Sequence, residues 1–209
     1  MAIKDITEAV LAFDEVGIVD LIKTEIAAET GVDEILNAGL IGAMDIVGQK
    51  YSDGELFVPE MLMAAETMKA GLAVLKPLLS DGDAAHRGTV VIGTAKGDLH
   101  DIGKNLVAMM MESAGMTVHN IGVDIGPEDF VTQIKEKNAQ IVCLSALLTT
   151  TMPMMKQTID AIVEAGLRDQ VKIIVGGAPV TQAFADEIGA DGFASDAGSA
   201  AKLGKTLAA

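Results

Sequence analysis

Tryptophan is missing from these 209 residues, and tyrosine and cysteine each occur once. With so few flat aromatic faces, a surface that stacks on nucleic-acid bases is disfavoured. Lysine and arginine together number 15 against 30 aspartates and glutamates, a formal net charge of -15. Such a surface repels phosphate backbones and anionic lipid, so neither nucleic acid nor a membrane surface is an expected partner. Cys143, the lone thiol, cannot form an intrachain disulfide, which fits a reducing cytoplasm. It lies in the apolar run 141–144 and reads as a buried structural thiol. No apolar run approaches the ~18 uncharged residues of a membrane span. The opening Met1-Ala2-Ile3-Lys4-Asp5 lacks the basic-then-apolar layout of a secretory leader, so none is expected.

Apolar residues make up 50% of the chain, enough for one large domain or two small ones. The pattern divides near residue 80. Before it, Ile18, Leu21, Ile22 and Ile26 mark one helix face, and a second helix is predicted from about Val32 through Tyr51, stopped by Ser52-Asp53-Gly54. A third carries Val58, Met61, Leu62, Ala65, Met68, Leu72 and Leu75 in one stripe to Pro77, with Pro59 in its first turn. Helices of this length with short turns predict an antiparallel bundle over residues 1–80, expected to hold four helices, three of which these stripes mark. The small, polar, glycine-bearing segment around 81–88 reads as a linker.

From residue 89 to 209 the grammar alternates. Short β-rich runs at 89–93, 117–121, 141–145, 172–175 and 192–194 are separated by helical stretches. Such alternation implies parallel βαβ units with helices on both faces of the sheet. Five strands in about 120 residues predict a flavodoxin-like, doubly wound α/β domain with strand order 2-1-3-4-5. Neither an internal repeat nor a low-complexity segment is present.

Three polar features fall at the ends of three predicted strands. After the first comes Gly97-Asp98-Leu99-His100-Asp101-Ile102-Gly103, an imidazole with a carboxylate two residues upstream. After the third comes Ser145-Ala146-Leu147-Leu148-Thr149-Thr150-Thr151, and after the fourth Gly176-Gly177-Ala178-Pro179. Ligands of open α/β sheets bind outside the carboxyl ends of the strands at the switch in strand order. The adjacent glycines are expected to let a large flat ligand approach the backbone. His86 and His119 have no comparable setting and receive no role.

Asp98-Leu99-His100-Asp101-Ile102-Gly103, Ser145-Ala146-Leu147 and Gly176-Gly177, in that order and each after a strand, resemble the signature of cobalamin-binding domains. The stretch Gly54-Glu55-Leu56-Phe57-Val58-Pro59-Glu60-Met61-Leu62 resembles the helical cap of one subgroup. Together they are similar to the small corrinoid proteins of methylotrophic methyltransferase systems, and to the cap and cobalamin modules of methionine synthase.

The resemblance implies that the corrinoid's own benzimidazole leaves cobalt and that His100 takes the lower axial position. Asp98 would accept the other ring N–H, with Thr151 standing where such relays often have a serine. The displaced nucleotide tail would thread between Ser145, Leu147, Gly176 and Gly177. Asp101, Ile102, Gly103 and Thr149 would border the macrocycle, and methionines 61, 63 and 68 of the cap would cover its upper face. The implied activity is carriage of a methyl group on cobalt between a substrate-specific methyltransferase and a second one acting on a thiol or folate-type acceptor. A reductive activase is the implied third partner. A cobalamin subunit of a radical mutase and a B12-based regulator share the signature. The appended cap weighs against the first, and the absence of a basic recognition helix weighs against the second.

Overall fold

The computed structural model describes residues 2–78 and 88–208. The expected linker, apart from Gly88, and His86 lie outside the described residues. The chain divides into two compact units, one amino-terminal and one carboxyl-terminal.

The amino-terminal unit is helical. It contains α1 (Ala2–Leu11), α2 (Gly17–Ala27), α3 (Val32–Glu34), a π-helical stretch (Ile35–Ile41), α4 (Gly42–Ser52) and α5 (Val58–Leu75). Residues 32–52 run as one rod, so the unit has the four long helices expected of a bundle. Its interior is aliphatic: Ile6, Ile18, Ile22, Ile35, Leu40, Met61 and Leu75 are fully buried. Periodicity foretold the second rod's ends well. It did not foretell the π turn, because an extra residue per turn changes hydrogen bonds and leaves the apolar spacing nearly intact.

The second unit is built on short strands, of which β1, β3 and β4 are rich in valine and isoleucine. Its elements are β1 (Thr89–Thr94), α6 (Ile102–Ser113), β2 (Thr117–Asn120), α7 (Pro127–Lys137), β3 (Ile141–Ser145), α8 (Met152–Glu164), β4 (Lys172–Gly176), α9 (Gln182–Ile188), β5 (Gly192–Ala194) and α10 (Ala197–Ala208). All strand pairs are parallel, in the order β2-β1-β3-β4-β5. That is the predicted order, and the fold is flavodoxin-like. β1 is buried along its whole length, as a central strand covered on both faces must be. The edge strand β2 has exposed ends. Phe130 and Ile134 of α7, Met155, Ile159 and Ile162 of α8 and Ile188 of α9 share one cluster with Val91, Val142, Ile173 and Val175 from the strands.

Register sets the floor of the candidate site. Thr94 of β1 stands opposite Ser145 of β3, Ser145 opposite Gly176 of β4, and Gly176 opposite Ala194 of β5. One row across four strands therefore leads into the loops that carry the polar residues.

Candidate functional site

Asp98 is the centre of the carboxyl-end loops. Its side chain is fully buried, yet it sits beside a His100 ring that is 53% exposed. One carboxylate oxygen, Oδ1, accepts the His100 ring nitrogen Nδ1 at 2.7 Å and the His100 backbone N–H at 3.1 Å. The other, Oδ2, accepts the backbone N–H of Leu147 at 2.7 Å, that of Leu148 at 3.3 Å and the Thr151 hydroxyl at 2.9 Å. Burial alone would raise the carboxyl's pKa. The hydrogen bonds from the His100 ring and backbone, Leu147 and Thr151 outweigh it and hold the group well below the usual carboxylate range.

An ionised carboxylate only accepts, so Nδ1 carries the imidazole proton and Nε2 keeps its lone pair in the neutral ring. The chain thus presents one basic nitrogen outward from a fixed ring. The loop is fixed too: the Thr94 hydroxyl donates to the His100 carbonyl at 2.9 Å, and Ala95 N–H donates to the Ser145 carbonyl at 2.9 Å. Gly97 turns with φ of 85°, a conformation that a side chain would strain.

Exposed apolar side chains stand beside His100 in the chain and on the loop after β3, with the exposed Asp101 among them. Leu99 is 72% and Ile102 79% exposed, and Leu147 and Leu148 are also exposed. A Cβ built on Gly103 would meet no atom within 4 Å, so the start of α6 is open on this side. Among the described residues no cluster of three or more histidine, cysteine, aspartate or glutamate side chains is placed to hold a metal ion. A single half-exposed imidazole fits a metal whose other ligands arrive with it, as in a macrocycle.

Several expected residues have roles in the fold that sequence did not show. Asp101 is turned to Asn105, whose Nδ2 donates to its Oδ2 at 3.0 Å. Thr149 is exposed on the loop after β3. The glycine pair is required by the protein itself: Gly177 has φ of 131°, and a Cβ there would lie 1.9 Å from the Ala146 carbonyl oxygen. The two loops after β3 and β4 close on each other through that glycine, which is a firmer reason for it than ligand approach. Met61 and Met68 are corrections to the expected cap face, since both are buried in the helical unit; Met63, with Leu62 and Phe57, is exposed. Cys143 is buried as predicted, its Sγ 3.8 Å from the Met111 sulfur, and burial pushes its thiol up to about 12.

Sequence reasoning missed a polar knot beside the loop, built on a buried lysine and two exposed asparagines. Lys104, 3% exposed, donates from Nζ to Asn120 Oδ1 at 2.6 Å and to Asn105 Oδ1 at 2.7 Å. Asn120 Nδ2 returns a bond to Asn105 Oδ1 at 2.9 Å. Burial lowers the Lys104 ammonium and the Asp101 carboxylate opposes that. Only the pairing of β1 with β2 brings these residues together, and their spacing in the chain carries no signal of it.

Residues 88–202 match the B12 binding domain family, and residues 2–76 match a second family of the same description. The chain belongs to the B12-binding corrinoid proteins. It is 46% identical over 182 residues to dimethylamine corrinoid protein 1 of Methanosarcina acetivorans, covering 87% of this chain and 85% of that one. A cobalamin-binding protein from Desulfitobacterium hafniense superposes with a TM-score of 0.83 at 32% identity, covering 98% of each chain. A chain of the methanol:cobalamin methyltransferase complex MtaBC from Methanosarcina barkeri gives 0.86 at 28% identity, covering 99% of this chain and 79% of that one. The cofactor of this B12-binding chain is a corrinoid. No described helix is long and apolar enough to cross a membrane.

Proposed function

We propose that this corrinoid protein carries a methyl group between two methyltransferases, one that loads it from a methylated substrate and one that passes it to a thiol or folate-type acceptor. The buried Asp98 holding an outward His100 carries the reading. When bound, the corrinoid supplies a cobalt centre able to hold and release a methyl group. Every other task falls to the chain.

His100 Nε2 would be the lower axial ligand, in a base-off/His-on arrangement with the benzimidazole displaced. Asp98 keeps the proton on Nδ1 and so leaves Nε2 free. Thr151 bonds the far oxygen of Asp98 and also the Leu148 carbonyl at 2.9 Å, so it holds the carboxylate in line. The nucleotide tail would enter along Ser145, Leu147, Gly176 and Gly177. Leu99, Ile102 and Gly103 would lie against the macrocycle, with Asp101 and Thr149 as polar contacts at its edge. Residues 89–209 would form the cofactor domain. Residues 1–80 would form the helical cap and 81–88 the linker; Phe57, Leu62 and Met63 are the large apolar side chains that helical unit leaves exposed around the start of α5.

The identity to dimethylamine corrinoid proteins supports a methylamine as the donor. A substrate-specific methyltransferase, a second methyltransferase and a reductive activase are the proposed partners, all in the cytoplasm. The test is reconstitution of the purified chain with hydroxocobalamin, then addition of a dimethylamine-specific methyltransferase and dimethylamine after reduction. Expected are stoichiometric corrinoid binding, loss of benzimidazole coordination and formation of the methylated cofactor. A chain that takes up no corrinoid, or leaves the benzimidazole on the metal, would overturn the reading.

A further inference from the structure

The loop between β2 and α7 has an unusual backbone. Gly122 and Asp124 both have positive φ, 99° and 57°. Asp124 is not a glycine, and a non-glycine residue held there stores strain that its surroundings must offset. What it touches gives the reason. Asp124 Oδ1 accepts the Gly97 N–H at 2.7 Å, and the Asp124 N–H donates to the Asp98 carbonyl at 3.0 Å. One residue thus grips the backbone on both sides of the peptide that carries the Asp98 carboxylate. Around it, Thr94 N–H donates to the Gly122 carbonyl, Ile125 N–H donates to the Thr94 carbonyl, and Ala95 bridges Ile125.

The start of the same loop is tied down as well. Asn120 Oδ1 accepts the Gly122 N–H at 3.2 Å and the buried Lys104 ammonium, and Lys104 belongs to the helix that follows the histidine. The Asp98–His100 segment is therefore anchored from β2 on two sides, while its own carboxylate anchors it to the loop after β3.

We infer that Asp124 is a positioning residue for the axial ligand: it clamps the Gly97–Asp98 backbone so that Asp98 presents His100 Nε2 at a fixed height and angle. This rests on the ligand role proposed for His100. Asp124 touches no cofactor atom in this scheme and acts only through Asp98.

Two variants separate positioning from mere folding. Asp124→Gly keeps the positive φ and the backbone bond to Asp98 but removes the oxygen that holds Gly97. Asp124→Asn keeps an oxygen that accepts from Gly97 N–H and tolerates the left-handed backbone. Both are loaded with Co(II) cobalamin, the ligated fraction is read by EPR, and the Co(II)/Co(I) midpoint is titrated. With one hydrogen bond lost, ligation by His100 in Asp124→Gly should weaken about three- to tenfold. Because the ligand favours Co(II), the midpoint rises by roughly 30–60 mV on the one-electron scale of 59 mV per tenfold. Asp124→Asn should return both readouts close to wild type, and thermal unfolding of all three apo proteins should differ little. Wild-type ligation and midpoint in Asp124→Gly, or an Asp124→Asn variant as weak as Asp124→Gly, would overturn the clamp while leaving the ligand role intact. A wild-type Co(II) spectrum with no nitrogen splitting would remove the ligand role, and the clamp with it.

Discussion

Replacing Asp98 by asparagine separates what the carboxylate does for the fold from what it does for His100. The carboxylate accepts hydrogen bonds from five donors on its two oxygens. An amide has one accepting oxygen, and it must go to the side with Leu147, Leu148 and Thr151, because turning its NH2 there would face three donors. The NH2 then points at His100, and the ring answers by carrying its proton on Nε2 and accepting on Nδ1. The His100 backbone N–H is left facing another donor. One backbone bond is lost and the four that survive lose their charge assistance, at least about 2–4 kcal/mol in all.

The sign with pH follows from the lowered Asp98 pKa. The wild-type advantage is present above the ordinary aspartate value near 3.9, and it is lost as pH falls toward the lower folded-state value. Urea unfolding of the apo proteins at pH 7 should therefore show the full gap. At pH 3 the gap should be smaller. The variant should still bind corrinoid through the tail slot, but without a nitrogen from His100 on the metal. Equal stabilities at pH 7, a gap that widens in acid, or intact axial ligation in the variant would each refute the reasoning.

Other substitutions test separate parts. Thr151→Ala removes a buried hydroxyl that bonds Asp98 and the Leu148 carbonyl; a loss of about 1–3 kcal/mol is expected, with Thr151→Ser restoring most of it in the same melts. Gly177→Ala places a methyl 1.9 Å from the Ala146 carbonyl oxygen at a strained φ; about 3 kcal/mol or more should be lost, and corrinoid uptake should fall because the slot between β3 and β4 is displaced. Phe130→Ala empties a fully buried ring site between β1 and α7; denaturant unfolding should show a loss of about 3–5 kcal/mol, with no change in axial ligation of whatever protein remains folded.

The α/β half was legible in the sequence because its signals are local. Strand runs such as 141–144 are wholly apolar, and parallel pairing leaves few possible strand orders. The Asp98–His100 pair was legible for the same reason, being two residues on one loop. What stayed hidden depends on which strands are neighbours. The second oxygen of Asp98 gripping Leu147 and Thr151 spans some fifty residues of chain. Asp124 and the Lys104–Asn120 knot reach the same loop only because β2 lies beside β1. In the helical half, the stripe Val58, Met61, Leu62, Ala65, Met68 gave the helix but not its outward face, since α5 is apolar on most sides and packing alone buries Met61 and Met68 while exposing Met63.

The account turns on whether a protein imidazole binds the metal, and isotope-edited EPR asks that directly. The Co(II) form of the reconstituted protein should show a three-line splitting from one axial nitrogen, and protein grown on histidine labelled with nitrogen-15 in the ring should show two lines instead. His100→Ala should show neither pattern from the protein. Three lines persisting in the labelled protein, or the labelled pattern surviving in His100→Ala, would contradict the assignment of His100 as the ligand.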